Sequence, residues 1–179
     1  MIQEFAVRPV PKNQNARRVF FILLGAAAIA VILSYFVSAY KGIVQLGALI
    51  LLVVSVLIYS RYLGSSYSYE VAHDSEGTPI FLVTQLSGKR RTALCRVDLS
   101  DIVSIEALTG EQYRSYKPES GFRRYNYTPT MGPDTVHLMK VCSRTEKAVV
   151  FLELSEEYRA MLLSFAEEAK AMRGADDED

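Results

Sequence analysis

The chain has 179 residues, half of them hydrophobic, and its 20 Lys and Arg are balanced by 20 Asp and Glu. That length suits one membrane module plus one domain of ordinary size. The charge balance leaves no basic face of the kind nucleic acid requires. Cys95 and Cys142 are far apart and form no CxxC pair, which argues against a disulfide framework or a zinc site. Both lie in apolar alternating runs and read as buried core thiols.

Residues 1–18 form a basic N-terminal segment, with Arg8, Lys12, Arg17 and Arg18 against Glu4 alone. Residues 19–39 then carry no charge. At 1.5 Å per residue they cover roughly 30 Å, the hydrocarbon thickness of a bilayer. Residues 43–60 are a second uncharged run, which Tyr59, Arg61 and Tyr62 extend to the interface by aromatic anchoring and snorkelling. Only Tyr40-Lys41-Gly42 separates the two, so residues 19–62 are expected to fold as an antiparallel transmembrane hairpin. The first run is longer than the apolar region of a signal peptide, about 7–15 residues. Arg17, Arg18 and Arg61 stand at one end and Lys41 at the other, which predicts a multi-pass protein of the cell membrane with both termini cytoplasmic.

Ala26, Ala30, Ser34 and Ser38 recur every four residues on one face of the first span, and Gly47, Ala48 and Ser55 offer small residues on the second. Such a ladder lets helices approach closely, either within the hairpin or between copies of the chain. The two runs hold no charged side chain, and Gln45 is their one strongly polar residue. Nothing in them marks a transport pathway.

Leu63-Gly64-Ser65-Ser66 is the whole linker, reaching at most roughly 14 Å, so a domain spanning 66–173 is held close to the bilayer. Its apolar period is two. Strands are predicted over 67–72, 79–86, 91–98, 102–108, 123–128, 135–142 and 148–154, punctuated by Asp74–Gly77, Ser87–Lys89, Leu99–Asp101 and Ser143–Glu146. Residues 109–121 read as a long polar loop. Ser155 caps a helix with Glu156 and Glu157 in its first turn, and Tyr158, Leu162, Phe165 and Ala169, widened by Met161, form its apolar stripe. Gly174 is expected to end it, leaving 174–179 as a disordered acidic tail.

Several local words, Tyr69-Glu70-Val71, Phe81-Leu82-Val83, Arg91–Val97 and above all Asp98-Leu99-Ser100-Asp101-Ile102-Val103-Ser104-Ile105-Glu106, resemble the bacterial pleckstrin-homology-like (PH-like) domains that follow paired transmembrane helices. The resemblance runs from Tyr69 to about Ala169. It implies an α+β fold, a seven-stranded antiparallel barrel capped by the C-terminal helix. It also implies a membrane-apposed binding or assembly module rather than an enzyme.

Two cationic stretches are candidate lipid or partner sites. Lys89, Arg90 and Arg91 stand at a hairpin tip, where ammonium and guanidinium groups can neutralise phosphate. They occupy the second turn of the domain, whereas the lipid site of PH domains usually lies at the first; here the first turn, Asp74-Ser75-Glu76, is acidic. Phe122, Arg123, Arg124 and Tyr125 mix cations with aromatics, which suits lipid headgroups, protein partners or stacked bases, or else aromatics that cover one barrel mouth with the arginines left in water. His73 and His137 have no nucleophile or second ligand beside them, and no motif calls for a metal or cofactor. Two functions follow as expectations: a membrane-anchored adaptor binding a lipid or protein at the inner leaflet, or a structural subunit oligomerising through its hairpin.

Overall fold

The computed structural model describes residues 4–10 and 13–176. Lys12 and the acidic residues 177–179 lie outside them.

Residues Phe5–Val7 form a short strand, β1, and the chain then enters helix α1, Gln14–Ser34. A bend over residues 35–37 and a 3-10 turn, Ser38–Tyr40, lead into α2, Lys41–Ile58, which continues through a π-helical turn, Tyr59–Leu63. The two helices are long and apolar enough to cross a membrane. Only Ala16, Ala27 and Ser34 of α1 and Ala48 and Ser55 of α2 are buried, because they line the seam between the helices. The remaining apolar side chains, Phe21, Ile29, Ile50 and Leu57 among them, face outwards. The seam hydroxyls are satisfied within their own helices: Ser34 Oγ donates to the Val31 carbonyl at 2.7 Å and Ser55 Oγ to that of Leu51 at 2.8 Å. The first helix starts and ends about five residues earlier than the uncharged run implied. The absence of charge marks a solvent boundary; a helix end is set by where backbone pairing stops.

Eight described strands form two open four-stranded sheets. The first has the order β1-β2-β3-β4, with β2 Ser66–His73, β3 Pro79–Ser87 and β4 Arg90–Asp98, all antiparallel. A 3-10 corner, Leu99–Asp101, passes the chain to β5, Ile102–Thr109. Helix α3, Gly110–Ser115, precedes β6, Arg123–Asn126, β7, Thr135–Cys142, and β8, Lys147–Leu152. The second sheet runs β5-β7-β8-β6, and β6 pairs with β8 in parallel. Helix α4, Glu156–Asp176, completes the chain.

The α+β class agrees with the expectation, but a closed, all-antiparallel seven-stranded barrel does not form. Strands β1 and β4 are the edges of the first sheet and β5 and β6 those of the second, and the N-terminal segment supplies an extra strand. Phe5 and Val7 pair opposite Val71 and Tyr69, and the Phe5 ring stacks 5.8 Å from that of Tyr158. The domain therefore begins before the helical hairpin and resumes after it.

The main core lies between the sheets and under α4. Tyr67, Tyr69, Phe81, Leu99, Ile102, Met139 and Leu152 are fully buried there with Leu162. Buried tyrosine hydroxyls are all bonded: Tyr69 donates to the Tyr127 carbonyl at 3.0 Å and Tyr158 to the Tyr69 carbonyl at 3.3 Å. On α4 the buried stripe is Tyr158, Leu162, Ala166 and Ala169; Phe165 is only half-buried at its flank. Ser155 caps the helix as expected, accepting from the Tyr158 N–H at 3.2 Å. The helix does not stop at Gly174; Arg173 ties its last turns to the 3-10 corner, bonding Asp101 at 2.9 Å and Ser100 at 3.1 Å.

Candidate functional site at the helix–domain junction

The end of α2 is fastened to the domain by one side chain. Arg61 donates from Nη2 to the Asn126 carbonyl at 2.6 Å and from Nη1 to the Tyr67 hydroxyl, with its guanidinium 5.4 Å from the Tyr67 ring centroid. Burial raises the Tyr67 pKa above its ordinary value, the Arg61 charge opposing that shift. Asn126 passes the contact on: Nδ2 donates to the Tyr113 hydroxyl at 2.8 Å, and Oδ1 accepts from the N–H and hydroxyl of Thr128. Arg61 is thus turned inwards, not extended outwards as snorkelling would require. On the neighbouring helix Asn13, just before α1, donates its amide to the Tyr62 carbonyl.

A cleft of about 720 Å³ opens at this junction, lined by Arg8, Asn13, Tyr62, Gly64, Lys89 and Arg91. Register brings the hairpin tip there. Ser66, the first residue of β2, pairs opposite Leu86, and Ser87 Oγ lies 3.5 Å from the Gly64 carbonyl, so the turn Gly88-Lys89 sits beside the end of α2. This two-residue turn needs a left-handed first residue, and Gly88 supplies it at φ +59°. Arg8 comes from the irregular segment that follows β1. Arg8, Lys89 and Arg91 are exposed and have no ion-pair or hydrogen-bond partner among the described residues, and no carboxylate lines the cleft among them. Arg90 stands at the same tip, also exposed.

The second cationic stretch is differently disposed. Phe122 packs with Tyr113, Tyr116 and Leu108 on Val136, Leu138, Val149 and Phe151, covering the outer face of the second sheet. Arg124 lies 4.8 Å above the Phe151 ring and 5.4 Å above that of Tyr113. Arg123 pairs with Glu146 at 3.6 Å, and the Tyr125 hydroxyl donates to the same carboxylate at 2.8 Å. These residues are spent on one another. The loop expected over 109–121 contains α3, nucleated by a capping box in which Gln112 N–H bonds Thr109 Oγ1 and Gln112 Oε1 accepts from Thr109 N–H.

A groove of about 430 Å³ runs between the open edges of β4 and β6, past Cys95, Tyr125 and Tyr127. Several of its polar groups are paired: Tyr127 donates to the Leu94 carbonyl at 3.3 Å, Arg96 bonds Asp74 at 2.6 Å, and Asp101 holds Arg173. Cys95 and Cys142 are half-buried, not core residues. Burial pushes the Cys95 thiol up to about 11, so it is not a thiolate nucleophile at neutral pH. His137 is buried on β7; its Nδ1 accepts from the Leu154 N–H at 3.3 Å, which leaves Nε2–H to face Glu156 at 3.3 Å. His73 is exposed, 4.0 Å from Glu4.

Of the small-residue ladder, Ser34 is buried and Ala26 and Ala30 half-buried in the seam with α2. The Ser38 side chain lies outside the described residues. Gly47 is exposed with open space around it, and the neighbouring Ala48 takes the seam position instead. Comparison with protein-family models, curated proteins and solved structures gives no match.

Proposed function

We propose that this chain is a membrane-anchored binding module: α1 and α2 cross the bilayer as a hairpin, both termini are cytoplasmic, and the domain is clamped at the inner leaflet to bind there. The observation that carries this reading is the pair of apolar, outward-facing helices whose C-terminal end is bolted to the domain by Arg61. Hydrocarbon is the solvent that such an apolar exterior suits. Arg8, Arg17, Arg18 and Arg61 mark one end of the hairpin and Lys41 the other, which supports the orientation. The likeness to PH-like modules rests on the sequence words around Asp98–Glu106 alone. In whole cells, on a background with Cys95 and Cys142 changed to Ser, an impermeant thiol reagent should label Lys41→Cys and spare Lys170→Cys until the cells are opened. The reverse pattern overturns the orientation; extraction of the chain by alkaline carbonate overturns the anchor.

A further inference from the structure

We propose that the junction cleft is a site for the phosphate of an anionic phospholipid headgroup, held by Arg8, Lys89 and Arg91; this rests on the membrane-anchored reading above. Three observations meet at the cleft. The first is charge. Arg96, Arg123, Arg159 and Arg173 are each paired with a carboxylate, that of Asp74, Glu146, Glu156 and Asp101 respectively, while the three cations that line the cleft have no carboxylate beside them among the described residues. Like charges gathered around a concavity repel until an anion enters it, and guanidinium and ammonium groups bond phosphate oxygens directly. The second is position. Tyr62 and Gly64 in the cleft wall stand at the end of α2, where its apolar stretch gives way to polar chain, so the cleft lies at the depth of headgroups when the hairpin spans a bilayer. The third is construction. The cations come from three places in the sequence: Arg8 from the segment after β1, Lys89 from the β3–β4 turn and Arg91 from β4. The register of β2 with β3 and the Ser87–Gly64 approach bring the last two to the helix end.

A phosphate can come from a lipid or from a soluble compound, and the assay separates them. The full-length protein, purified in a neutral detergent and stripped of lipid, is titrated with phosphatidylglycerol or with phosphatidylcholine, and the bound lipid is counted by native mass spectrometry. Phosphatidylglycerol is expected to be retained over phosphatidylcholine, and each of Arg8→Gln, Lys89→Gln and Arg91→Gln should weaken that retention by roughly fivefold, about the worth of one basic residue near an anionic surface. Arg123→Gln, whose charge is engaged elsewhere, should leave it unchanged. Because all three cleft side chains are exposed and have no partner among the described residues, their replacement should leave the fold intact. Equal retention of both lipids, or indifference to the three substitutions, overturns the site. Displacement of the lipid by glycerol phosphate at equal concentration overturns the lipid as its source. Carbonate extraction of the membranes from which the protein is purified separates these outcomes from failure of the anchor itself: an embedded chain without lipid preference refutes the cleft alone.

Discussion

Replacing Arg61 with Ala should loosen the domain from its anchor. The guanidinium makes a hydrogen bond to a backbone carbonyl from a charged donor, a class worth about 1.5–3 kcal/mol. It also lies over the Tyr67 ring, which adds roughly 0.5–2 kcal/mol depending on desolvation. These contributions share one side chain and do not sum, so a loss of about 2–3 kcal/mol is expected. That exceeds the worth of an exposed ion pair such as Arg123–Glu146, about 0–1 kcal/mol. Arg61→Lys should recover only part of the loss, because an ammonium cannot present two nitrogens in the planar fork that reaches Asn126 and Tyr67 together. Spin labels at Leu57→Cys on α2 and Lys147→Cys in the domain, in nanodiscs and with the native cysteines changed to Ser, report the docking directly. The parent protein should give a narrow distance distribution and Arg61→Ala a broad one, with Arg61→Lys between them. The domain's unfolding midpoint should also fall by roughly 4 °C or more. An unchanged distribution together with an unchanged midpoint would refute the clasp, and with it the idea that the domain is held in one orientation at the surface.

Other perturbations test the packing. Leu162→Ala, at a fully buried position, should cost about 2–5 kcal/mol in denaturant unfolding, and Phe165→Ala, half-buried on the flank, less than about 2 kcal/mol; the opposite ranking would mean that α4 is rotated on the sheets. Gly110→Ala should destabilise by at least about 1 kcal/mol, since its Cβ would stand 2.7 Å from the Pro133 carbonyl oxygen, a backbone atom that cannot swing aside, and a neutral result would show that the 128–135 loop yields. Acid should weaken the fold as Asp74 and Glu156 protonate. The backbone N–H of Thr78 lowers the Asp74 pKa first, and the Arg159 and His137 hydrogen bonds lower that of Glu156, so their stabilisation is complete above the ordinary carboxyl values of 3.8 and 4.5 and is lost as pH falls through the depressed native ones. Burial raises the Glu153 pKa, so that carboxyl has the opposite sign: stability rises as pH falls through its raised value, and Glu153→Gln should remove this component from a plot of stability against pH.

The strands of the domain were legible because their residues alternate and their turns are chemically marked. Asp74–Thr78 closes through the Asp74 carboxylate, which accepts from the N–H groups of Glu76 and Thr78, and Ser87-Gly88-Lys89 reverses the chain at the glycine. Strand β1 was not, since Phe-Ala-Val is too short to show a period and acquires its meaning only by pairing with Val71 to Tyr69. Helix α3 had a readable signal, Thr109 followed three residues later by Gln112, but no apolar stripe to draw attention to it. The parallel pairing of β6 with β8 is a matter of topology, which alternation does not encode, and a sequence of seven strands and a helix is compatible with both an open and a closed arrangement.

Cations show the same limit from the side of function. Lys89, Arg90 and Arg91 and the Phe122–Tyr125 stretch look alike in sequence, as basic residues among turns and aromatics. What separates them is partnership. Arg124 rests on Phe151 and Tyr113, and Arg123 and Tyr125 share Glu146, so an incoming anion would have to displace contacts already made. Lys89 and Arg91 have none to give up among the described residues, and they gain Arg8 as a neighbour only because the chain enters its first helix beside the point where it leaves its second. Arg8, some eighty positions before Lys89 in sequence, therefore completes the cleft through the hairpin's own antiparallel geometry. The same geometry makes the hairpin more than a tether: by returning the chain to its starting side, it joins β1 to β2, fixes Arg61 against Tyr67 and gathers positive charge at one end.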